Sequence, residues 1–210
     1  MSNWAKVIWS DEAAFNVGGS PDRVFVTRKA SAEFNSSCLL PRFKKLDTIH
    51  VWGCFFGILR LKGPLIFWDK AIMGKRITAQ GYCEHTLPHL EEFWYKQSCT
   101  TEDYVYILQD GASTHTANYT TQVLKDKGLY NYLFPWVAKS PDLNLIEGVW
   151  RIIKARINQR SPRPNRNELM GAAIREEWEA INTTELEGLL AGMPNRVQAV
   201  LTAHGGHTKY

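Results

Sequence analysis

The sequence predicts an α/β domain, a mixed sheet with an antiparallel first half and helices packed on it. Three observations lead there. Strand-like runs fill the first 70 residues, helical and strand periodicities then alternate, and the last third is helical in pattern. At 210 residues, 44% hydrophobic and 22% charged, with a net charge of +4, the chain has the composition of a folded domain and not of a disordered one. The length suits a single domain that buries a core without disulfide or metal staples. No run approaches the roughly 20 apolar residues of a membrane span. Asp11 and Glu12 come too early for a secretory leader. Cys38, Cys54, Cys83 and Cys99 form no CxxC pair and have no histidine at zinc spacing, so reduced thiols and no zinc site are expected.

Lys6–Asp11 (KVIWSD) reads as a short buried strand closed by an acid, and Arg23–Arg28 (RVFVTR) alternates as a second strand. Thr48–Phe56 and Arg60–Trp68, joined around Gly57, read as a hairpin. Thr78–Gln97 spaces Tyr82, Leu87, Leu90, Phe93 and Trp94 as a helix does, despite Pro88. Tyr104–Asp110 (YVYILQD) is a strand ending in a second acid, Thr116–Lys127 a helix stopped by Gly128, and Leu129–Trp136 a further strand. Ser140–Arg160 carries the clearest helix pattern. Ser140 suits the N-cap, Pro141 the first helical position and Asp142 the positive end of the dipole. Ile146, Val149, Trp150, Ile153 and Ile157 form its apolar stripe, and the prolines within Ser161–Asn165 end it. Helices are expected near Glu168–Ile181, Thr184–Leu190 and Arg196–Ala203. Trp52 and Trp150 are expected in the core.

The charge is unevenly spread. Arg23–Lys45 carries six basic residues against Glu33, and Arg151–Arg166 carries six against none, giving +5 and +6 on a body of −7. Two basic segments on an acidic body suit a polyanion such as nucleic acid, with Arg156 and Arg160 expected to face solvent.

If the strands ending at Asp11 and Asp110 are parallel neighbours, both carboxylates meet at one sheet edge. Glu147, about two turns into its helix, shares a face with Arg151 and Lys154 and is anchored by the apolar stripe beside it. Three converging carboxylates repel one another unless cations neutralise them. Hard oxygen ligands select Mg²⁺ or Mn²⁺, and two such ions can clamp an in-line displacement at phosphorus. No Ser/His/Asp order competes with this reading.

The segments Trp9–Phe15 (WSDEAAF), Val51–Phe56 (VWGCFF), Gln109–Ala117 (QDGASTHTA) and Lys139–Trp150 (KSPDLNLIEGVW), followed by the tail Gly192–Tyr210 with its GGHTKY ending, occur in that order. Together they resemble the catalytic domain of Tc/mariner superfamily cut-and-paste DNA transposases, closest to the Tc-type branch. The resemblance implies an RNase H-like fold with a five-stranded mixed sheet over residues 1–210, a clamp-like insertion at about 17–45 and a helical part at about 141–210. It implies that Asp11, Asp110 and Glu147 are the catalytic, metal-binding acids. Asp142 is the rival third acid, but 31 residues separate it from Asp110, against 36 for Glu147, and that is too few for the mariner-type spacing. Gly111 departs from the family's usual Asn.

The implied reaction is metal-dependent phosphoryl transfer on DNA with two Mg²⁺ or Mn²⁺ ions. A phosphodiester at a transposon end is cut, and the freed 3′-hydroxyl attacks target DNA at TA. His115 is placed either on substrate phosphate or on the Asp110 loop. Arg28, Lys29, Lys44, Lys45, Arg151 and Lys154 are the candidate DNA contacts. A homodimer in the synaptic complex, a nuclear location and no membrane partner follow from the same resemblance. The helix-turn-helix modules that precede the family's catalytic domain are not in this sequence, so an excised, truncated or domesticated catalytic domain is expected. A non-catalytic interaction domain is the alternative, and an RNase H-type RNA nuclease fits the fold but not the SPDLNLIE and GGHTKY wording.

Overall fold

A computed structural model describes residues 3–18, 47–74, 76–101, 103–137, 140–206 and 208. Strands β1 (Val7–Asn16), β2 (Thr48–Phe56), β3 (Leu61–Phe67) and β4 (Tyr106–Ile107) form one sheet in the order β3-β2-β1-β4. β1 pairs antiparallel with β2, β2 antiparallel with β3, and β1 parallel with β4. The sheet is mixed, as expected, but has four strands among the described residues instead of five. The run Leu129–Trp136 supplies a 3₁₀ turn at Tyr130–Tyr132, one parallel bridge from Leu133 to Ile107, and a bond from Phe134 N–H to Ile107 O at 2.8 Å. Pro135 follows directly and has no N–H to extend a ladder. The strand expected at Arg23–Arg28 and the clamp expected at about 17–45 lie largely or wholly outside the described residues.

β1 is longer than its sequence suggests. Val7–Ser10 are all buried because both faces are covered there; farther on, Ala13 and Phe15 are buried while Ala14 and Asn16 are exposed. Asp11 therefore does not close the strand but sits within it, opposite Gly53 of β2. The element that stops short of this level is β4.

Helices cover both faces. The region expected as one helix is two, α1 (Ala79–His85) and α2 (Leu87–Thr101). Pro88 explains the break, since its ring would clash with the carbonyl of Glu84 in a continuous helix. Thr78 caps α1, its hydroxyl accepting from Gly81 N–H at 3.0 Å. α3 (Ser113–Thr116) and α4 (Asn118–Asp126) follow, with Gly128 at φ +71° behind them.

α5 spans Leu145–Gln159, so the expected cap at Ser140 is corrected. Residues 140–144 form successive turns instead, with Leu143 N–H bonded to Ser140 O and Asn144 N–H to Pro141 O. Asn144 is the cap position, Asp142 lies outside the helix, and Glu147 is in the first turn. The predicted stripe holds: Ile146, Val149, Trp150, Ile153 and Ile157 are all buried. α6 (Asn167–Ala180), α7 (Thr183–Ala191) and α8 (Met193–Thr202) appear where the periodicity puts them.

One core joins alternate β1 residues Val7, Trp9, Ala13 and Phe15 to α5, α6 and the start of α8. The other joins Ile8, Trp52, Cys54 and Phe56 to α1, α2 and α4. Trp52 and Trp150 are both buried, as expected. No described helix is long and apolar enough to cross a membrane.

Gly53 fixes how closely α5 and α6 approach the sheet. A Cβ there would lie 2.8 Å from Trp150 and 2.9 Å from Trp178, whose rings stack at 5.3 Å. Gly188 on α7 has open space around the same position. Denaturant unfolding is expected to show Gly53→Ala destabilised by about 1–3 kcal/mol through overpacking. Gly188→Ala should gain up to about 1 kcal/mol from helix propensity. Equal effects of the two would show that the indole stack does not set the spacing.

Candidate active site

β1 and β4 are bonded only at Val7–Tyr106 and Ile8–Ile107. Beyond that, Leu108 N–H still reaches Ile8 O at 2.9 Å, and the Ser10 hydroxyl donates to Leu108 O at 2.7 Å. The chain after β4 then leaves the sheet and delivers Asp110 beside the middle of β1. Along β1, Asp11 lies on the same face as Trp9 and Ala13, which is the α5 side, and Glu12 on the opposite face, toward α1 and α2.

Asp11 is part-buried, and one carboxylate oxygen accepts from Glu12 N–H at 2.8 Å. The other is 3.3 Å from Asn144 Nδ2, which also reaches Ser10 O at 3.3 Å. Asn144 is almost completely buried, and its Oδ1 has no hydrogen-bond partner. Burial pushes the Asp11 carboxyl from 3.8 up to about 7, and the negative charges of Glu12, Asp110 and Glu147 push the same way. The charges of the other two acids expected from the sequence are therefore both felt at Asp11. Glu147 arrives from the first turn of α5, held by Ile146, Val149 and Trp150 in the core.

Asp110 is engaged locally. Its Oδ1 accepts from Ala112 N–H at 3.0 Å and lies 2.7 Å from His115 Nδ1; the His115 bond holds its carboxyl below the usual range. His115, 7% exposed, packs edge-on against Tyr82 at 4.7 Å, and its Nε2 lies 3.5 Å from Glu12 Oε1, an ion-pair contact more than a hydrogen bond. Burial pulls the imidazolium down, but Asp110 and Glu12 outweigh it and raise its pKa to about 10. His115 is thus a buried cation on the Asp110 loop, which favours the structural of the two roles considered for it. Among the described residues no three His, Cys, Asp or Glu side chains form a ready ligand cage. The pairing of Asp110 with His115 is consistent with that.

The basic candidates divide. Arg28, Lys29, Lys44 and Lys45 lie outside the described residues. Arg151 and Lys154 are exposed on α5, with the Lys154 ammonium 5.4 Å from the Phe15 ring centre. Arg156 and Arg160, expected to face solvent, are tied down instead: Arg156 to Glu185 at 2.6 Å, and Arg160 to Glu177 at 2.5 Å and Glu176 at 2.7 Å. The α6 and α7 glutamates thus neutralise part of the second basic segment.

Sequence reasoning missed Glu12, Asn144 and Ser10. Glu12 was hidden by its adjacency to Asp11, although strand alternation sends neighbours to opposite faces. Asn144 was hidden by the helix start assigned to Ser140.

Comparison with known proteins agrees with this architecture. Residues 56–170 match the family described as DDE superfamily endonuclease. The chain is 30% identical to the Transposable element Tc1 transposase of Caenorhabditis elegans over 208 residues, 99% of this chain and 71% of that one. It is 29% identical to the Tcb1 transposase of Caenorhabditis briggsae, again over 99% of this chain and 71% of the relative. In fold it resembles the Mos1 mariner paired end complex with Mn, with a TM-score of 0.71 at 18% identity over 98% of this chain. It spans 57% of that Mos1 chain, just over half its length. The catalytic domain of Mos1 mariner transposase aligns at a TM-score of 0.65 and 15% identity, over 99% of this chain and 86% of that domain. The sheet and its flanking helices are therefore of the RNase H-like type, and the chain belongs to the DDE superfamily endonucleases, as a homologue of the Tc1 transposase catalytic domain.

Proposed function

We propose that this chain cleaves DNA phosphodiesters and joins the freed 3′-hydroxyl to target DNA, as the catalytic domain of a cut-and-paste transposase. The observation that carries the reading is the placement of Asp11, Asp110 and Glu147. Asp11 on β1, Asp110 on the segment after β4 and Glu147 in the first turn of α5 come from three separate elements, and the latter two charges are felt at Asp11, in a chain of the DDE endonuclease family.

The chemistry of the donors, three carboxylates, suits a hard divalent cation. Burial and like charge make the ionised Asp11 carboxylate costly on its own, and a cation among the acids would relieve that cost. Asp11, Asp110 and Glu147 would hold Mg²⁺ or Mn²⁺, two ions in the active state. When bound, such ions supply Lewis acidity at both the attacking and the leaving oxygen of an in-line displacement. Mos1 catalytic-domain structures with Mn and with Mg support divalent-metal use.

The chain's own residues supply position. Ser10 fixes β1 to the segment that carries Asp110, Asn144 holds Asp11 from the α5 side, and His115 restrains Asp110 and balances part of the negative charge. Exposed Arg151 and Lys154 offer cations to a DNA backbone one and two turns along α5 from Glu147. Complexes of Mos1 with its transposon ends support DNA as the substrate. A dimer working on paired ends in the nucleus, with TA as target, completes the reading.

Nicking of duplex DNA in Mg²⁺ or Mn²⁺ tests this. Asp11→Asn and Glu147→Gln are expected to lose about 10³-fold in rate, the several kcal/mol of charge stabilisation that a metal supplies, with circular dichroism unchanged. Cleavage without metal, or full activity in both variants, would overturn the assignment. A folded chain that binds DNA but neither Mn²⁺ nor cuts would be an interaction domain instead.

A second expectation concerns pH. The folded Asp11 holds its proton more tightly than the unfolded chain does, so its contribution to stability is present at about pH 4 and is lost as pH rises to about 7. The metal-free melting temperature should fall over that interval, and Asp11→Asn should flatten the fall. Mn²⁺ should raise the melting temperature most near pH 7. Wild-type and Asp11→Asn profiles of the same slope would contradict the burial of this carboxyl.

A further inference from the structure

The acid site is held from a part of the chain that the proposed chemistry does not use. Asp142, in the turn before α5, is gripped twice. Arg196 of α8, 5% exposed, donates from Nη1 to Asp142 O at 2.9 Å, and Thr208 Oγ1 donates to Asp142 Oδ2 at 3.0 Å. The other terminal nitrogen of Arg196 comes within 3.3 Å of where a Cβ on Gly148 would stand, and a Leu189 methyl within 2.5 Å, so α7 and α8 close directly on the residue after Glu147.

The paired glycines of GGHTKY lie between α8 and the second contact. Gly205 adopts φ +79° and sends its N–H to Val200 O at 3.1 Å, while Gly206 N–H bonds Ala203 O at 2.8 Å. A Cβ on Gly206 would stand 2.9 Å from that same carbonyl. These bonds follow α8 at a left-handed turn formed by His204 (φ +50°) and Gly205, a geometry glycine adopts freely. Thr208 lies beyond this turn, at Asp142.

The turn so gripped needs holding. Among the described residues no side-chain hydrogen bond caps α5, and the charge of Glu147 in its first turn repels that of Asp11. A loose turn would relieve that repulsion by moving the start of α5 outward. Asn144, two residues after Asp142, carries the link on to Ser10 and Asp11.

We propose that Arg196 and Thr208 are positioning residues, a two-point latch on Asp142 that fixes the turn at residues 140–144. Through it the latch sets Asn144 against Asp11 and Glu147 at the level of the other acids. The proposal rests on the reading of those acids as the reactive site. It gives the C-terminal motif a task distinct from DNA contact.

Hydrogen exchange on the whole chain, with Thr208→Val and the conservative Thr208→Ser, tests it. Thr208→Val should speed exchange of amides 143–148 by about 3–10-fold, the worth of one hydrogen bond, and leave β2 and β3 unchanged. It should weaken Mn²⁺ binding by calorimetry and lower kcat for nicking by a similar factor of about 3–10, with KM for DNA unmoved. Thr208→Ser should restore all three. Unchanged exchange in Thr208→Val overturns the latch. Faster exchange with wild-type Mn²⁺ affinity and kcat overturns its positioning role. A wild-type chain that neither binds Mn²⁺ nor nicks, while exchange still responds to Thr208→Val, overturns the site reading and leaves the tether standing.

Discussion

β1 and β4 share only two paired positions, and the sheet opens immediately beyond them. In a parallel pair both chains leave in the same direction, so the residues just past the ladder are forced to one edge. Asp11 stays on β1, still supported by β2 at Gly53, while Asp110 rides the segment that departs. A longer β4 would have filled the space with ladder bonds, and a shorter one would have left Asp110 unanchored. The separation of Asp11 from the Asp110 segment follows from where that ladder stops.

Proximity of carboxylates carries an electrostatic cost, and the structure distributes it. Asp110 is compensated by His115, whose imidazole also meets Glu12, the acid on the sheet face opposite Asp11. Among the described residues Asp11 has no such partner, only an amide from Asn144 and a backbone N–H, and burial raises its carboxyl. One acid is thus balanced within the protein and another is left for something else to balance. That asymmetry, more than the mere presence of three acids, distinguishes the arrangement from a surface cluster.

Much of this was legible in the sequence, for reasons that differ by element. The α5 stripe and the three later helices were readable because amphipathic periodicity survives tertiary packing. The β2–β3 hairpin was readable because its turn is local. Asp11, Asp110 and Glu147 could be named from motif wording, yet two of their placements were misjudged. Asp11 looked terminal because the polar pair Asp11–Glu12 resembles the end of a strand, whereas β2 carries the ladder on to Asn16. The Ser140–Pro141–Asp142 run has the composition of a helix start, but Asp142 is taken by Arg196 and Thr208, and the helix begins only after Asn144. Both errors have one origin. Local propensity is silent about partners that lie far along the chain, and these partners decide the outcome. The same holds for Arg156 and Arg160, whose glutamates come from later helices.

The indole stack of Trp150 and Trp178 over Gly53 has a bearing on α5 as a rotating body. Each residue of an α-helix advances the side-chain direction by about 100°. Trp150 lies three residues after Glu147, on nearly the same side, and its ring is wedged where the sheet has no side chain. The wedge therefore acts as a key in a slot, setting the roll angle of α5 about its axis. A slip of one residue would swing Glu147 through about 100°, away from the β1–β4 edge, even with every helical hydrogen bond intact. A glycine on a strand thus determines the aim of an acid on a helix.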